Sequence, residues 1–324
     1  MRSFSRRLPG LLIAAALSLV AARASAQAAS GFAVERFYPS APGGGWFVMD
    51  DLDLRGGLGG AVSFTSGYAR GALRVPDGAQ RLDVVSNQAF AAFALAVSFR
   101  RWRLSLDLNA PLVIEGESGT AGAYQFTSPS VTLGSHPDTL ADPRLGIEGL
   151  ILGDPQSRFR LGVSGQLIIP NGDRFDYDTD GTFRAMLRAL AAGDVGRFVY
   201  AGQLGVHIRP RDDAPTPGGP DGSELLFGVA GGARVALNGR PTTALVVGPE
   251  IYGATAFRSF LGSSATALEG LLTGRIEGTA DRGRQIRLKL GVGAGLHPDF
   301  GAPEWRVVVG IEAFNRNVSG DLRE

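Results

Sequence analysis

The chain has 324 residues, a formal net charge of +1 at pH 7, 47 glycines and no cysteine. The absence of cysteine excludes disulfides and thiolate metal sites, and the near-neutral charge gives no basis for binding nucleic acid. Beyond the first 26 residues, no apolar run reaches the roughly 18 residues that a membrane helix needs.

Residues 1–26 match a secretory signal peptide. Three arginines precede an apolar run from Leu11 to Ala22, and an Ala-Ser-Ala cleavage pattern ends at Ala26. The run is too short to cross a bilayer, so the segment is predicted to be removed. Without its four arginines, the mature chain has 28 basic and 31 acidic residues, a net charge of −3.

Residues 27–53 precede the first predicted strand and include Trp46 and Phe47. We expect this segment on the periplasmic side of the fold that follows. The residues leave open whether it plugs the mouth of that fold or packs beneath it.

The rest of the chain repeats segments in which apolar and polar residues alternate strictly. From Trp102 to Leu112, Leu104 and Leu106 lie on one face, and Arg103 and Asp107 lie on the other. This period of two predicts β-strands. The segments exceed the five or six residues typical of sandwich strands, and they suit the roughly 9–11 residues of a strand that crosses a bilayer.

Twelve such strands are predicted, with ten or fourteen as the error range. They cover about 54–67, 84–99, 102–114, 142–152, 158–169, 182–191, 197–208, 223–236, 243–253, 266–277, 285–296 and 304–314. Five short turns interleave with six longer loops, which are predicted at 68–83, 115–141, 170–181, 209–222, 254–265 and 297–303. An outer-membrane barrel alternates short turns with long loops in this way, whereas nothing requires such an alternation in a soluble sandwich.

We therefore predict an all-β fold, a single transmembrane antiparallel β-barrel over residues 54–314 with a polar tail at 315–324. Its short turns face the periplasm and its long loops face the cell exterior. The predicted location is the outer membrane of a Gram-negative bacterium, in contact with lipid and lipopolysaccharide.

Aromatic residues support this orientation, because barrels carry aromatic girdles at both membrane interfaces. Near the short turns lie Phe99, Trp102, Phe159, Phe198 and Phe314. Near the opposite ends lie Tyr68, Tyr252 and Trp305.

The polar faces of the strands are predicted to line the barrel lumen. They carry Arg103, Asp107, Arg144, Glu148, Arg160, Arg184, Arg188, His207, Glu224, Arg234, Glu250, Glu269, Arg275, Arg287, Lys289, Arg306 and Glu312. One interpretation is a structural network of charges that pair across the lumen. The other is a selectivity surface along a water-filled path. Both interpretations stay open at this point, and no cofactor is expected.

The acidic stretch Asn171–Gly181 resembles the start of a calcium loop through Asp176, Asp178 and Asp180. A complete loop needs a carboxylate at its twelfth position, but Leu187 stands there, inside a predicted strand. We therefore interpret the stretch as an extracellular loop, with these three aspartates as a weak candidate for binding a divalent cation.

One further pattern concerns catalysis. Some barrels are hydrolases with histidine at the rim, and His297-Pro298-Asp299 is the place to look for such chemistry here. Proline and aspartate also favour turns, and we interpret the motif as a turn. The chain is not expected to be an enzyme.

Several stretches resemble a known family. They include ADPRLGIEGLILGD from Ala141, GQLIIPNGDR from Gly165 and LVVGPEIYGATAF from Leu245. These resemble the N-terminal barrels of myxobacterial-type OmpA-family outer-membrane proteins. The Asp-x-Arg-Leu-Gly and Pro-Asn-Gly-Asp pieces are more loosely similar to outer-membrane transporters linked to aromatic-compound degradation.

The family resemblance implies a barrel over most of the mature chain. In the family, a C-terminal peptidoglycan-binding domain commonly follows the barrel, whereas only ten residues follow Phe314 here. Phe314 resembles the terminal aromatic that the barrel-insertion machinery recognises, although in the family this residue usually stands last.

Two functions remain as hypotheses. The first is a porin-like channel or transporter for the passive passage of small solutes through the arginine- and glutamate-lined lumen. The alternative is a non-conducting structural or scaffold barrel of the OmpA-family type.

Overall fold

The structure, a computed structural model, describes residues 26–54, 58–78, 80–132, 140–155, 157–211, 222–237, 243–279, 284–298 and 300–315. The predicted signal peptide, apart from Ala26, and the predicted tail, apart from Asn315, lie outside these residues.

Twelve antiparallel strands form one closed barrel. They are β1 (Leu58–Asp77), β2 (Gln80–Phe99), β3 (Trp102–Glu115), β4 (Arg144–Leu152), β5 (Arg160–Ile168), β6 (Arg184–Val195), β7 (Phe198–Ile208), β8 (Glu224–Ala236), β9 (Thr243–Ala256), β10 (Thr266–Thr279), β11 (Arg284–His297) and β12 (Trp305–Asn315). Each strand pairs with the next, and β12 closes the barrel on β1, with Phe314 opposite Ala61. The predicted twelve-stranded barrel is confirmed.

Shorter elements lie outside the barrel wall. They are the two-residue strand Gln27–Ala28, the loop strands Gly119–Ala121, Tyr124–Phe126 and Ser130–Val131, and the 3-10 turns Arg174–Asp176 and Phe257–Ser259. Among the described residues, no helix has the length and apolar character needed to cross a lipid bilayer.

The alternation along the strands produces an apolar outer surface. Outward-facing Leu104, Leu204 and Leu288 are 50–57% exposed, whereas inward-facing Arg103 and Arg287 are almost fully buried. A lipid environment makes this arrangement favourable, because exposed leucine contacts hydrocarbon and every strand hydrogen bond is satisfied within the closed sheet.

Two residues assigned to the aromatic girdles face inward instead. Tyr252 is 2% exposed and lies in the interior cluster, and the guanidinium of Arg287 lies 4.8 Å above the Phe314 ring. Both share strand parity with buried charged residues, Glu250 and Glu312. The alternation of side chains along each strand therefore decides that these two side chains point inward, even though they lie near strand ends.

The predicted loop at 68–83 is also corrected. These residues continue β1 and β2 into a long hairpin, with Asp77 opposite Gln80. The extension packs into an apolar extracellular cluster, in which Leu73 pairs with Phe300 and to which Val84 and Phe126 also belong. Burial in this cluster stabilises strand structure where the local sequence favours a turn.

Residues 31–54, hereafter the lumen segment, run through the barrel interior. The chain enters from the extracellular side, where Gln27–Ala28 pairs with Tyr124–Gln125 of the β3–β4 loop. Nearly all of the segment is buried, and it leads to β1 at the periplasmic end. Residues expected on the periplasmic side thus occupy the lumen, because their aromatic side chains find an apolar interior cluster there.

Glycines on the inner wall make room for the lumen segment. A Cβ added at Gly232 would lie 2.8 Å from the Trp46 ring, and one at Gly228 would lie 2.4 Å from the Met49 methyl group. Close approach of backbone to a side chain is a common reason for glycine inside a strand. The wall and the lumen segment are therefore complementary in shape.

Candidate functional site in the barrel lumen

The residues predicted to line the lumen lie inside the barrel. All of them are buried except Arg234, which is half-buried. The structure also adds charges that the alternation pattern did not supply: Glu35, Arg36, Asp50 and Asp51 of the lumen segment are all paired with wall residues.

One ion-pair cluster joins the lumen segment to β3 and β4. Arg103 contacts both Asp50 and Glu148, and its Nε donates to Glu148 at 2.7 Å. Arg188 lies 3.9 Å from Glu148 and donates to Ser164. Asp50 thereby ties the lumen segment to the wall near the periplasmic end of β3.

A second cluster lies on β10, β11 and β12. Arg287 bonds Glu312 at 2.7 Å and Glu277 at 3.2 Å, and Lys289 bonds Glu312 at 2.6 Å. Arg275 lies 2.9 Å from Glu277, and its guanidinium stacks 4.9 Å from the Trp46 ring centre. The charges here also hold the aromatic part of the lumen segment.

The third cluster lies at the extracellular end. Arg209 bonds Asp180 at 2.6 Å and Glu224 at 2.5 Å. Glu224 also bonds Arg36 at 2.7 Å and lies 3.1 Å from the His207 ring. The cluster thereby joins the acidic loop, two strands and the lumen segment.

Three other predicted residues form further ion pairs inside the barrel. Arg306 bonds Glu35 and Glu269, each at 2.8 Å, so it ties the lumen segment to β10. Arg160 and Arg234 instead share Asp194, at 2.8 and 2.9 Å, in a cluster of wall residues.

Glu250 contacts the lumen segment through its backbone. Its carboxylate accepts hydrogen bonds from the N–H groups of Phe47 and Val48 at 2.9 Å and of Met49 at 3.3 Å. Thr273 donates to the same carboxylate at 2.6 Å. A fully buried carboxylate thus satisfies three successive backbone donors of an irregular turn.

The three aspartates of the acidic loop have different surroundings. Asp180 is bound to Arg209, Arg211 and Arg184, so arginines occupy the oxygens that a metal would need. Among the described residues, no group of three His, Cys, Asp or Glu side chains is placed to hold a metal ion. Asp176, another of the three aspartates, is the last residue of the 3-10 turn Arg174–Asp176.

Asp178 and Asp180 also titrate differently. Burial raises the pKa of Asp178 to about 7, and the neighbouring Asp142 and Asp176 add to the rise. Burial alone would raise the pKa of Asp180 as well, but the guanidinium of Arg209 outweighs it and holds the pKa below its usual range.

The raised pKa of Asp178 predicts a pH dependence of stability. Between about pH 4 and pH 7 the folded state keeps a proton that the unfolded state releases, so the free energy of unfolding falls as pH rises. Asp178→Asn is expected to remove this fall, roughly a few kcal/mol at about 1.4 kcal/mol per pKa unit. Urea unfolding in lipid vesicles from pH 4 to 8 measures it, with Asp154→Asn in an exposed turn as control. Parallel pH profiles for wild type and Asp178→Asn would contradict the prediction.

Two of the cavities in the described part of the barrel lie between β3 and the lumen segment. The larger, of about 60 Å³, is lined by Glu35, Tyr38, Asp107, Arg144 and Arg184, among other residues of the extracellular half. The smaller, of about 20 Å³, is lined by Pro42, Asp53, Arg103 and Phe314, among others at the periplasmic end.

His297 lies at the end of β11, where its Nδ1 is 2.8 Å from the carbonyl oxygen of Thr266. Asp299, the other polar residue of the motif, lies outside the described residues.

Solved structures that resemble the fold are outer-membrane barrels. An outer-membrane channel from Pseudomonas putida F1 matches with a TM-score of 0.50 at 14% identity, over 81% of this chain and 95% of that chain. The NanC porin matches with a TM-score of 0.45 at 8% identity, over 78% of this chain and 98% of that chain. At such low identity the likeness concerns the fold alone.

No protein-family model and no curated protein sequence matches the chain. The closed barrel and its apolar outer surface nevertheless decide where the protein resides, because a lipid-facing sheet without edges is the architecture that crosses outer membranes. The chain is a β-barrel of the Gram-negative outer membrane.

Proposed function

We propose that this protein is an outer-membrane channel for small polar solutes, closed by the lumen segment in the conformation described. The proposal includes no enzymatic activity. Its partners are the small solutes, the surrounding lipid and lipopolysaccharide, and the barrel-insertion machinery during assembly. Kinship with OmpA-family barrels stays a prediction from the quoted sequence stretches.

The observation that carries the proposal is the position of the two cavities along one strand. Asp107 lines the extracellular cavity and Arg103 lines the periplasmic one. These two residues are four positions apart on β3, roughly 13 Å at about 3.3 Å per residue. At the periplasmic cavity, Arg103 forms an ion pair with Asp50 of the lumen segment. A small shift of the segment at this point would join the cavities into a path.

Asp50→Asn tests this closure. The substitution removes the charge that ties the lumen segment to Arg103, while Glu148 still satisfies the arginine and the amide oxygen still accepts from the Leu52 N–H. In planar bilayers we expect rare, small conductance steps for wild type and at least a threefold higher open probability for Asp50→Asn.

Asp194→Asn is the matched control, because Asp194 bonds Arg160 and Arg234 of the wall. Its open probability should equal that of wild type. Silence of both wild type and Asp50→Asn, under conditions that open a reference porin, would contradict the channel function.

A non-conducting scaffold barrel is the second candidate. The observation in its favour is the packing of Phe37, Trp46 and Phe47 in the interior cluster, each at most 3% exposed. Under this alternative the lumen segment is a permanent core, and the bilayer recordings described above would stay silent for every variant.

A further inference from the structure

The extracellular cavity presents two chemically different walls. On one side, β2 and β3 contribute Gln88, Asn109 and Asp107. On the other side, β4 and β6 contribute Arg144 and Arg184. The register places these residues in sequence around the barrel, since Asp107 pairs with Arg144 and Ile168 of β5 faces both Arg144 and Arg184.

Each wall has buried polar atoms without a hydrogen-bond partner among the described residues. On the two sides they are the oxygens Gln88 Oε1, Asn109 Oδ1 and Asp107 Oδ2, and the guanidinium nitrogens Arg144 Nη1, Arg184 Nε and Arg184 Nη1. Tyr38 Oη of the lumen segment and Asp178 Oδ1 of the acidic loop also line the cavity without a hydrogen-bond partner among the described residues. Buried polar groups are nearly always satisfied, so solvent or solute in the cavity must bond them. The β2–β3 side therefore offers acceptors from Gln88, Asn109 and Asp107, and the adjoining β4–β6 side offers donors from Arg144 and Arg184.

Existing ion pairs hold these side chains in place. Asp107 Oδ1 accepts from Arg144 at 3.2 Å, and Arg184 donates to Asp142 at 2.7 Å. Glu35, which also lines the cavity, is paired with Arg306. Asp178 has its pKa raised to about 7, so it adds little negative charge below neutral pH. The cavity is thus dipolar but close to neutral, which disfavours a ligand of net charge.

The size of the cavity limits the ligand further. Its volume of about 60 Å³ is enough for only a few water molecules, since one water needs about 10–15 Å³ of such space. Phe37, Phe90 and Ile168 close its apolar sides. The ligand must therefore carry a cationic donor and an anionic acceptor only a few atoms apart.

We propose that this cavity binds the zwitterionic head group of a small α-amino acid. The ammonium group bonds Asp107, Asn109 and Gln88, and the carboxylate bonds Arg144 and Arg184. The inference rests on the proposed channel function, because it names the solute class that would enter the path from this side.

Binding of glycine to the detergent-solubilised, folded protein at pH 6, measured by titration calorimetry, tests the proposal. Ethanolamine carries only the cationic end and acetate only the anionic end, so each is expected to bind at least tenfold more weakly than glycine. Equal binding of the three compounds, or no binding of glycine to folded protein, would overturn the inference.

Two variants assign the ends of the ligand without removing an ion pair. Asn109→Leu removes one acceptor, and Arg184→Lys keeps a positive charge beside Asp142 but removes the planar donors. Each should weaken glycine binding at least fivefold. Gln203→Leu changes a lumen carboxamide on β7, outside the lining of the cavity, and should bind glycine as wild type does. Unchanged affinity in both cavity variants would also overturn the inference.

The outcomes separate this inference from the channel function. If the protein binds glycine but shows no conductance in planar bilayers, the channel function is contradicted and the amino-acid site still stands. If it conducts but does not bind glycine, the amino-acid site is contradicted and the channel function still stands.

Discussion

Replacing Glu250 with alanine is expected to release the lumen segment from the barrel wall. The buried carboxylate accepts from the N–H groups of Phe47, Val48 and Met49. Each buried donor left unsatisfied costs about 1–3 kcal/mol, so the free energy of unfolding should fall by on the order of 3 kcal/mol or more. Urea titration of the protein in lipid vesicles measures the loss.

A second measurement reports the position of the segment itself. In Glu250→Ala, added protease should cleave within residues 31–54 at least tenfold faster than in wild type, while the strands stay protected by lipid. Glu250→Gln is the matched control, because one oxygen still accepts from the backbone and its effect should be less than half as large. Wild-type stability and wild-type cleavage in Glu250→Ala would show that the carboxylate does not hold the segment.

Replacing Arg209 with methionine is the second large effect that we expect. Arg209 is 2% exposed and bonds Asp180, Glu224 and the carbonyl oxygen of Ala33. Its loss leaves two buried carboxylates without a shared partner, and breaking a buried ion pair in this way costs about 3–5 kcal/mol. The midpoint of urea unfolding in vesicles should fall accordingly.

An exposed ion pair provides the comparison for Arg209. Arg101 and Asp154, in two neighbouring periplasmic turns, bond at 3.0 Å, and their side chains are 49% and 78% exposed. Arg101→Met should therefore cost less than about 1 kcal/mol. If Arg209→Met were no more destabilising than Arg101→Met, the ion pairs of Arg209 with Asp180 and Glu224 would not stabilise the fold. The lumen segment would then be held by its other contacts.

Much of the fold follows from the alternation of the residues. The period of two along β3, with Leu104 outside and Arg103 inside, is a local property that any strand in a closed barrel must express. Loop lengths likewise indicated which end faces the periplasm. The residues predicted to line the lumen lie in the interior because they occupy the inward-facing positions of the same alternation.

The sequence did not predict which charged residues form ion pairs with one another inside the barrel. Arg103 has several buried carboxylates within the same barrel, and it binds Asp50, which is 53 residues away, as well as Glu148 on the neighbouring strand. Such pairs depend on which strands become neighbours and on the height of each residue in the barrel. Neither quantity is encoded in the local pattern.

The sequence by itself determined the number of strands, their two faces and the orientation of the barrel, because each depends on residues that are neighbours along the chain. Only the tertiary structure decided that residues 31–54 fill the lumen and that two cavities remain beside β3. Among its described residues, the lumen segment contains no helix or strand that a local pattern could predict. Its position comes from contacts such as Trp46 with Gly232 and Met49 with Gly228, which exist only once the barrel has closed around it.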